Sequence, residues 1–290
     1  MNSGESASSV AASLCEAHVF RGVSIICAAH RAAATARIIL AVTLLFVVSS
    51  VRAAEVVEEI IEQKYPCESD VILSIRNTDG SVRIYAGDVA EISIQAIKKA
   101  YTVERLKKIV VDVKATRKSV AIETIFPPRE TGFGLSDRSG TVDYIIIVPQ
   151  AAKITQIELV NGEVLVEGLR GGSATAHLVN GWLAGHNCFG DLNFTIVNGR
   201  LDLAYDWWDA QKFSVKASSQ NASIRAFLPS DASAAIAAQA VTGWIANGFE
   251  ARKSEPAEPP HALNVTIGTE PEAAFEMKAE SGNIRIDKMY

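Results

Sequence analysis

The chain has 290 residues, of which 48% are hydrophobic, and it carries a formal net charge of −5 at pH 7. This length and composition are typical of a folded protein with a substantial core, and they exclude a disordered chain. The acidic balance and the lack of a Lys/Arg stripe argue against a nucleic-acid partner, because phosphate backbones bind clusters of basic side chains.

The N-terminal segment has the features of an export signal. Arg31 and Arg37 precede an unbroken apolar run at 38–48, and small residues up to Ala53 follow it. A basic region, a short apolar core and small residues at the cleavage point are typical of a secretory signal peptide, whereas a membrane-spanning helix needs about 20 apolar residues. We therefore predict that residues 1–53 are an N-terminal extension and cleaved signal peptide. The mature protein would be exported to the periplasm or cell surface; an uncleaved anchor is the alternative.

The next part of the chain is predicted to be a lead-in followed by strands. Residues 54–69 are expected to form a short helix or an unstructured lead-in. Residues 70–149 are expected to form an N-terminal β-strand part, because apolar and polar residues alternate there. In chain order its segments are alternating runs around Asp79-Gly80, a strand at 91–100, one or two helical turns at 103–109, two strands around a turn at 116–118, a Pro/Gly/Ser-rich loop at 127–140, and an apolar strand that ends at Pro149.

From residue 150 to the end, the sequence repeats with a period of about 20 residues. The dipeptide Asn-Gly recurs between short alternating runs that start at Lys153. Alternation places every second side chain in the interior, and Asn and Gly tolerate the positive φ that a tight corner needs. The predicted corner residues are Asp79, Gly80, Asn161, Gly162, Asn180, Gly181, Asn198, Gly199, Gly243 and Gly282.

Such a corner can join the two strands of a β-hairpin or bend one coil of a solenoid. The constant period, the second glycine turn in each coil and the aliphatic residue three positions after every corner favour the solenoid. These aliphatic residues are Val82, Val164, Leu183, Leu201, Ile224, Ile245 and Ile284. We therefore predict an all-β fold. Residues 150–290 form a single-stranded, β-helix-like solenoid, with one coil at 263–268 and a Pro/Glu-rich insertion loop at 250–262.

The combination of a signal peptide, alternating strand segments and repeated Asn-Gly corners resembles the bacterial "putative adhesin" family with β-strand repeats, a domain family of unknown function. The resemblance covers roughly residues 70–290 and is most specific from Val148-Pro149, through the corner Asn161-Gly162, to Gly168. The corners at 221–222 and 242–243 depart from the family's Asn-Gly pattern. The resemblance implies an extracytoplasmic β-solenoid and carries no established chemistry.

No motif predicts an enzyme, a cofactor or a metal site. His177, His186 and Cys188 form a thin group that no carboxylate joins at matching spacing, whereas a metal site needs three or four converging ligands. Cys67 and Cys188 would remain in the mature chain, where they could pair in an oxidising compartment or serve as core residues.

One local group of carboxylates keeps an enzymatic alternative open. Asp202, Asp206 and Asp209 surround a tryptophan pair, and paired carboxylates can hydrolyse glycosidic bonds. The sequence offers no Lys/Arg set beside them. A carbohydrate-active enzyme on a solenoid scaffold is therefore kept as an alternative to a non-catalytic protein.

The aromatic residues give the better functional indication. Trp182 and Trp244 each lie two residues after a corner, opposite in parity to the buried column, and should face outward. Trp207 and Trp208, with Tyr205, lie in a loop after Leu203 and are the other candidate surface aromatics. Exposed aromatics mark contact surfaces for sugars, lipids or proteins, unless a loop or the insertion covers them. We therefore expect a binding or adhesion protein of the cell envelope whose partner is a polysaccharide or a protein.

A third possibility is a self-associating structural or stress-sensing envelope protein. Solenoid ends expose unpaired strand edges, and the chain ends in IRIDKMY without an obvious cap. This ending predicts a homo-oligomer that forms through the terminal coil.

Overall fold

A computed structural model describes residues 56–128, 139–249 and 260–290. The predicted signal peptide, and most of the predicted loop at 127–140 and insertion at 250–262, lie outside these residues. The described part is almost entirely β-structure, with one short helix, α1, at Val103–Lys108. No helix within it is long and apolar enough to cross a membrane. The strands are β1 Val57–Pro66, β2 Ile72–Gly87, β3 Glu91–Ala100, β4 Val110–Ala115, β5 Ser119–Ile125, β6 Thr141–Pro149, β7 Lys153–Glu167, β8 Arg170–His186, β9 Phe189–Ala204, β10 Phe213–Pro229, β11 Ala234–Thr242, β12 Ile245–Asn247, β13 Ala262–Ile267, β14 Ala273–Ser281 and β15 Ile284–Met289.

The predicted lead-in is a strand, so the expectation of a short helix or an unstructured segment was wrong. Strand β1 pairs antiparallel with β3, which in turn pairs antiparallel with β6. Glu58 and Glu59 of β1 face lysines of β3, with Lys98 Nζ 2.7 Å from Glu59 Oε2, and Ile61 packs against the core. These partners stabilise the strand but lie far along the chain, where a local pattern does not reveal them.

The central strands lie side by side in parallel, in chain order. Strands β2, β7, β8, β9 and β10 each run through a corner, and equivalent corner residues pair with one another, as Asn161 does with Asn180 and Asn180 with Asn198. The hairpin interpretation of the Asn-Gly corners is therefore wrong, because the chain does not reverse onto itself there. Each strand instead pairs with the next repeat.

The aliphatic residue three positions after each corner lies in the core. Val82, Val164, Leu183, Leu201, Ile224 and Ile284 are fully buried, and Ile245 is nearly so. They pair strand to strand along one continuous column. Burial of a branched aliphatic side chain contributes about 1.5–3 kcal/mol, so this column is a main stabilising element of the fold.

The last strands depart from chain order. Strands β14 and β15 lie between β10 on one side and β11 and β12 on the other, and β13 pairs antiparallel with β11 at the edge of the sheet. The predicted coil at 263–268 is therefore not a parallel coil, and the C-terminal strand is not a free edge. The sizes of the buried side chains account for this strand order. Phe275 of β14 contacts the aromatic residues Tyr205 and Phe213 of the core, whereas β11 buries mostly alanines, which are too small to fill that space.

Candidate functional site

The corner asparagines form a hydrogen-bonded ladder. Asn161 Nδ2 donates to Asp79 Oδ1 at 2.8 Å, Asn180 Nδ2 donates to Asn161 Oδ1 at 2.9 Å, and Asn198 Nδ2 donates to Asn180 Oδ1 at 2.9 Å. Asn221 extends the ladder by donating to Asn198 at 3.2 Å. These amides bond chiefly to one another, so the ladder fixes the strand register and is a poor candidate for a ligand site.

The corner glycines complete this structural role. In Gly181 the φ angle is +136°, and a Cβ atom there would lie 1.9 Å from the carbonyl oxygen of Gly162. Only glycine therefore allows the coils to approach so closely at this position. The other predicted corner glycines also have positive φ; they are Gly80, Gly162, Gly199, Gly243 and Gly282.

Trp182 lies on the outer face, as expected, but is held by a network. Its indole Nε1 donates to Asp202 Oδ2 at 2.8 Å, and the guanidinium of Arg200 lies 5.5 Å from the ring centroid. Asp202 also accepts a hydrogen bond from Arg225 Nε at 2.9 Å and forms an ion pair with Arg200, whose Nε lies 2.7 Å from Oδ2; only 11% of its side chain is exposed. This indole and the two arginines therefore stabilise a nearly buried carboxylate.

Tyr205 was expected at the surface, and this is wrong. It is 1% exposed, because it continues the inward alternation of Leu201 and Leu203 in β9. Its hydroxyl donates to the Cys188 carbonyl at 3.1 Å, and burial raises its pKa well above the usual value. Trp208 is half-buried and packs against Phe213, with 5.7 Å between ring centroids.

Two tryptophans are exposed. Trp207 is 46% exposed and Trp244 is 38% exposed. The ring of Trp207 lies 5.9 Å from the buried ring of Phe189, tilted by 36°, so a packed aromatic cluster supports it from below. Trp244 lies just after a corner and donates its backbone N–H to Asn283.

Asp206, next to Trp207, is held by two polar neighbours, Asn187 and His186. Asn187 Nδ2 donates to Asp206 Oδ2 at 2.9 Å, and the Asp206 N–H donates back to Asn187 Oδ1 at 2.8 Å. His186 Nε2 lies 2.9 Å from the same Oδ2, and its Nδ1 lies 3.3 Å from Glu167 Oε1. The hydrogen bond from Asn187, followed by the nearby His186, lowers the pKa of Asp206.

Asp209, on the other side of Trp207, is bound by an arginine. Arg170 Nη1 lies 2.9 Å from Asp209 Oδ2, and its guanidinium lies 5.7 Å from the Phe189 ring centroid. All three aspartates of the predicted cluster thus have basic partners, which corrects the expectation that no Lys/Arg set accompanies them. Arg200 lies on the same strand as Asp202 and is visible in the local sequence, whereas Arg170, His186 and Arg225 come from other strands and would have been found only through the repeat register.

We name this surface the Trp207 platform. Its members are all at least partly exposed, and they lie where one repeat ends and the next begins. They are Glu167, Arg170, His186, Asp206, Trp207 and Asp209. The carboxylates of Asp206 and Asp209 flank the exposed Trp207 in the chain, and the imidazole and guanidinium groups pair with them, which is an arrangement that can bind a small polar ligand without a metal.

The His/Cys group considered from sequence does not assemble into a metal centre. Within the described ranges, no three His, Cys, Asp or Glu side chains are arranged to hold a metal ion. Cys67 and Cys188 are both free thiols, so the possible disulfide does not form in this structure. Cys188 is buried, its Sγ donates to the Val166 carbonyl, and burial raises its pKa to about 12.

A groove of about 620 Å³ lies elsewhere, on strands β10, β14, β11 and β13. Its floor includes the exposed alanines Ala235, Ala237 and Ala274, and Lys216 and Lys278 are among its polar lining. The groove contains no predicted site residue, and it lacks the aromatic surface of the Trp207 platform.

Comparison with known proteins gives similarities to solved structures. No family model matches the chain, and no curated protein matches it significantly. The chain is similar to a putative cell adhesion protein from Clostridium sporogenes, with 14% identity and a TM-score of 0.46 over 80% of this chain and 100% of the other. It is also similar to a putative adhesin from Bacteroides fragilis, with 9% identity and a TM-score of 0.32 over 79% and 97%. A putative lipid binding protein from Parabacteroides distasonis has 13% identity and a TM-score of 0.28 over 80% and 97%.

Proposed function

We propose that the chain is an exported, non-catalytic β-solenoid protein of the "putative adhesin" type, which acts in binding or adhesion at the bacterial cell envelope. The parallel strands, bent at in-register corners, support the solenoid. The basic and apolar N-terminal sequence supports export to the periplasm or cell surface.

The observation that carries the proposal is the exposure of Trp207. An indole buries roughly 150–250 Å² in a core, so leaving about half of it in water forfeits on the order of 2 kcal/mol. The same region buries Tyr205, Phe189 and Phe213 completely or nearly so. A chain that buries those rings and leaves Trp207 on a fixed support has a surface suited to contact with a partner.

The carboxylates of the Trp207 platform favour binding over catalysis. A glycosidase needs a carboxylic acid whose pKa is raised, so that it can donate a proton near neutral pH. The pKa of Asp206 is instead lowered, and Asp209 forms an ion pair with Arg170. Asp202 is already engaged by two arginines and the Trp182 indole, and only 11% of its side chain is exposed, so it is poorly placed to contact a substrate.

The direct test is co-sedimentation of the mature protein with bacterial envelope fragments that contain both peptidoglycan and surface polysaccharide. We expect saturable binding that Trp207→Ala weakens and that Trp244→Ala leaves intact. Release of reducing ends from the fragments is measured in parallel. Failure of every fragment to retain the protein would overturn the binding role, and sustained release of reducing ends would overturn the non-catalytic one.

Self-association is a second candidate, favoured by one edge of the sheet. Strand β13 contains no charged residue or proline, and the described residues place no strand on its outer side. Natural edges usually carry such residues to prevent pairing with another chain, as Glu58, Glu62 and Lys64 do in β1. Any homo-oligomer would therefore form through β13 and not through the C-terminal strand. Light scattering tests this idea: Val265→Lys should convert the oligomer to monomer, and a wild-type monomer at high concentration would rule it out.

A further inference from the structure

We propose that the Trp207 platform binds a neutral polysaccharide, with a pyranose ring stacked on the Trp207 indole and its hydroxyls bonded to Asp206, Asp209 and Arg170. This inference rests on the proposed binding function and adds the class of ligand. The C–H face of a pyranose is weakly positive and packs on the negative face of an aromatic ring. The hydroxyls at its rim both donate and accept hydrogen bonds.

The charge of the platform selects against anionic ligands. It contains the carboxylates of Glu167, Asp206 and Asp209 and the guanidinium of Arg170, which gives a formal charge of −2 when His186 is neutral. A uronic acid, sulfate or phosphate would bring a like charge next to these carboxylates. A neutral sugar has no such repulsion, and its hydroxyls supply the donors that carboxylate oxygens need.

Unused hydrogen-bonding groups flank the indole. In the described part of the chain, protein donors reach Oδ2 of Asp206 and Oδ2 of Asp209 but not the Oδ1 atom of either residue. The indole N–H of Trp207 likewise has no protein acceptor there, whereas that of Trp182 donates to Asp202. Two acceptors and one donor therefore remain for a ligand beside the exposed ring.

The platform is fixed before any ligand arrives. The reciprocal hydrogen bonds between Asn187 and Asp206 hold one side of Trp207, and the Arg170–Asp209 ion pair holds the other. Phe189 supports the ring from below. A preorganised surface loses little side-chain entropy on binding, so even a shallow site retains useful affinity.

Lipid and protein ligands fit this surface less well. An acyl chain would need a contiguous apolar patch, but charged or polar side chains surround Trp207. A stable protein partner typically covers about 800 Å² on each side, far more than one indole provides. A repeating polysaccharide can instead bind many protein molecules along its length. Each molecule contributes one weak site, and the many sites together suit adhesion.

The test is affinity electrophoresis and calorimetry on the mature protein with two sets of purified polysaccharides. The neutral set contains mannan, galactan and dextran, and the acidic set contains alginate, polygalacturonate and hyaluronan. We expect at least one neutral polymer to bind and the acidic ones to fail. Trp207→Ala should weaken binding by about tenfold or more, as removal of a central aromatic contact does. Asp206→Asn, which keeps the shape of the side chain, should weaken it by about threefold to tenfold.

Trp244→Ala is the matched control, because it removes a second exposed indole far from the carboxylates, and it should change binding by less than twofold. Binding of acidic polymers alone, or equal loss in both tryptophan variants, would overturn the inference. Loss in Trp244→Ala alone would leave a binding protein with its site elsewhere. If no neutral polymer binds, the ligand class is wrong, while the proposed function fails only if envelope fragments also fail to retain the protein.

Discussion

Replacement of Gly181 by alanine tests how tightly the corners are packed. Gly181 has φ of +136°, a conformation that residues with a Cβ atom rarely adopt. The added Cβ would lie 1.9 Å from the carbonyl oxygen of Gly162, which belongs to the backbone of the neighbouring coil. No side-chain movement relieves this overlap, so the two coils must separate at the corner.

The expected loss combines backbone strain with broken strand pairing. A non-glycine residue in such a conformation costs about 1–3 kcal/mol. Separation of the coils lengthens backbone hydrogen bonds on both sides of the corner, and each lost bond adds about 1 kcal/mol. We therefore expect Gly181→Ala to lower the free energy of unfolding by about 3–5 kcal/mol. This loss corresponds to a fall in Tm of roughly 10 °C or more for a domain of this size.

Urea denaturation followed by circular dichroism measures the loss, and Gly87→Ala is the control. Gly87 has no heavy atom within 4 Å of an added Cβ and no positive φ. Its substitution should change the free energy of unfolding by no more than about 0.5 kcal/mol. Equal midpoints for the two variants would refute the argument that the corners are sterically locked.

Four further outcomes are expected. Asn180→Ala removes two ladder hydrogen bonds and should cost about 1–2 kcal/mol in urea denaturation; no shift of the midpoint would mean that the ladder is dispensable. Asp202→Ala removes the hydrogen-bond acceptor of Arg225 and the Trp182 indole and should cost about 1–2 kcal/mol, because water solvates the partly exposed arginines that remain; an unchanged midpoint would count against this network. Because the pKa of Asp206 is lowered, its stabilising effect is present above the ordinary carboxyl pKa of about 4 and is lost as pH falls through the folded-state value. Asp206→Asn should therefore reduce the acid-induced loss of stability below about pH 4, and an unaltered pH profile would contradict the shift. A thiol reagent at mildly alkaline pH should label Cys67 before Cys188, whose thiol reacts only on unfolding; equal labelling rates in the native state would contradict its burial.

The parts of the fold that depend on local sequence were predictable. A corner such as Asn161-Gly162 needs positive φ at its glycine, and a residue such as Val164 must point inward three positions later. Both requirements are visible in a single repeat. Alternation also predicts strand β6 up to Pro149, where the structure ends it.

The parts that depend on distant partners were not predictable. The charged sequence of strand β1 resembles an unstructured lead-in. The lysines that stabilise it as a strand belong to β3, so its own sequence does not reveal them. The place of β14 beside β10 follows from the fit of Phe275 to the aromatic core, a matter of volume that periodicity does not encode. Tyr205 was grouped with the surface aromatics of the loop after Leu203, although its parity, continued from β9, is that of a buried residue.

Part of the candidate site could be predicted from the sequence. Trp207, Asp206 and Asp209 are neighbours in the chain, and their combination indicates a surface for polar ligands. Glu167 and Arg170 come from the preceding repeats, and only the parallel register brings them to the same junction. Their charges turn an isolated indole into a surface that discriminates neutral from anionic ligands.

The most direct test of the proposed site uses the indole N–H signals of the four tryptophans in a nitrogen–proton correlation spectrum. Substitution of each tryptophan by phenylalanine assigns the signals, and oligosaccharides of the neutral polymer that binds are then titrated in. We predict that the Trp207 signal shifts progressively to saturation, while the signal of Trp182, whose N–H is already bonded to Asp202, stays in place. Shifts confined to Trp182 or Trp244, with Trp207 unmoved at saturation, would contradict the assignment of the binding site.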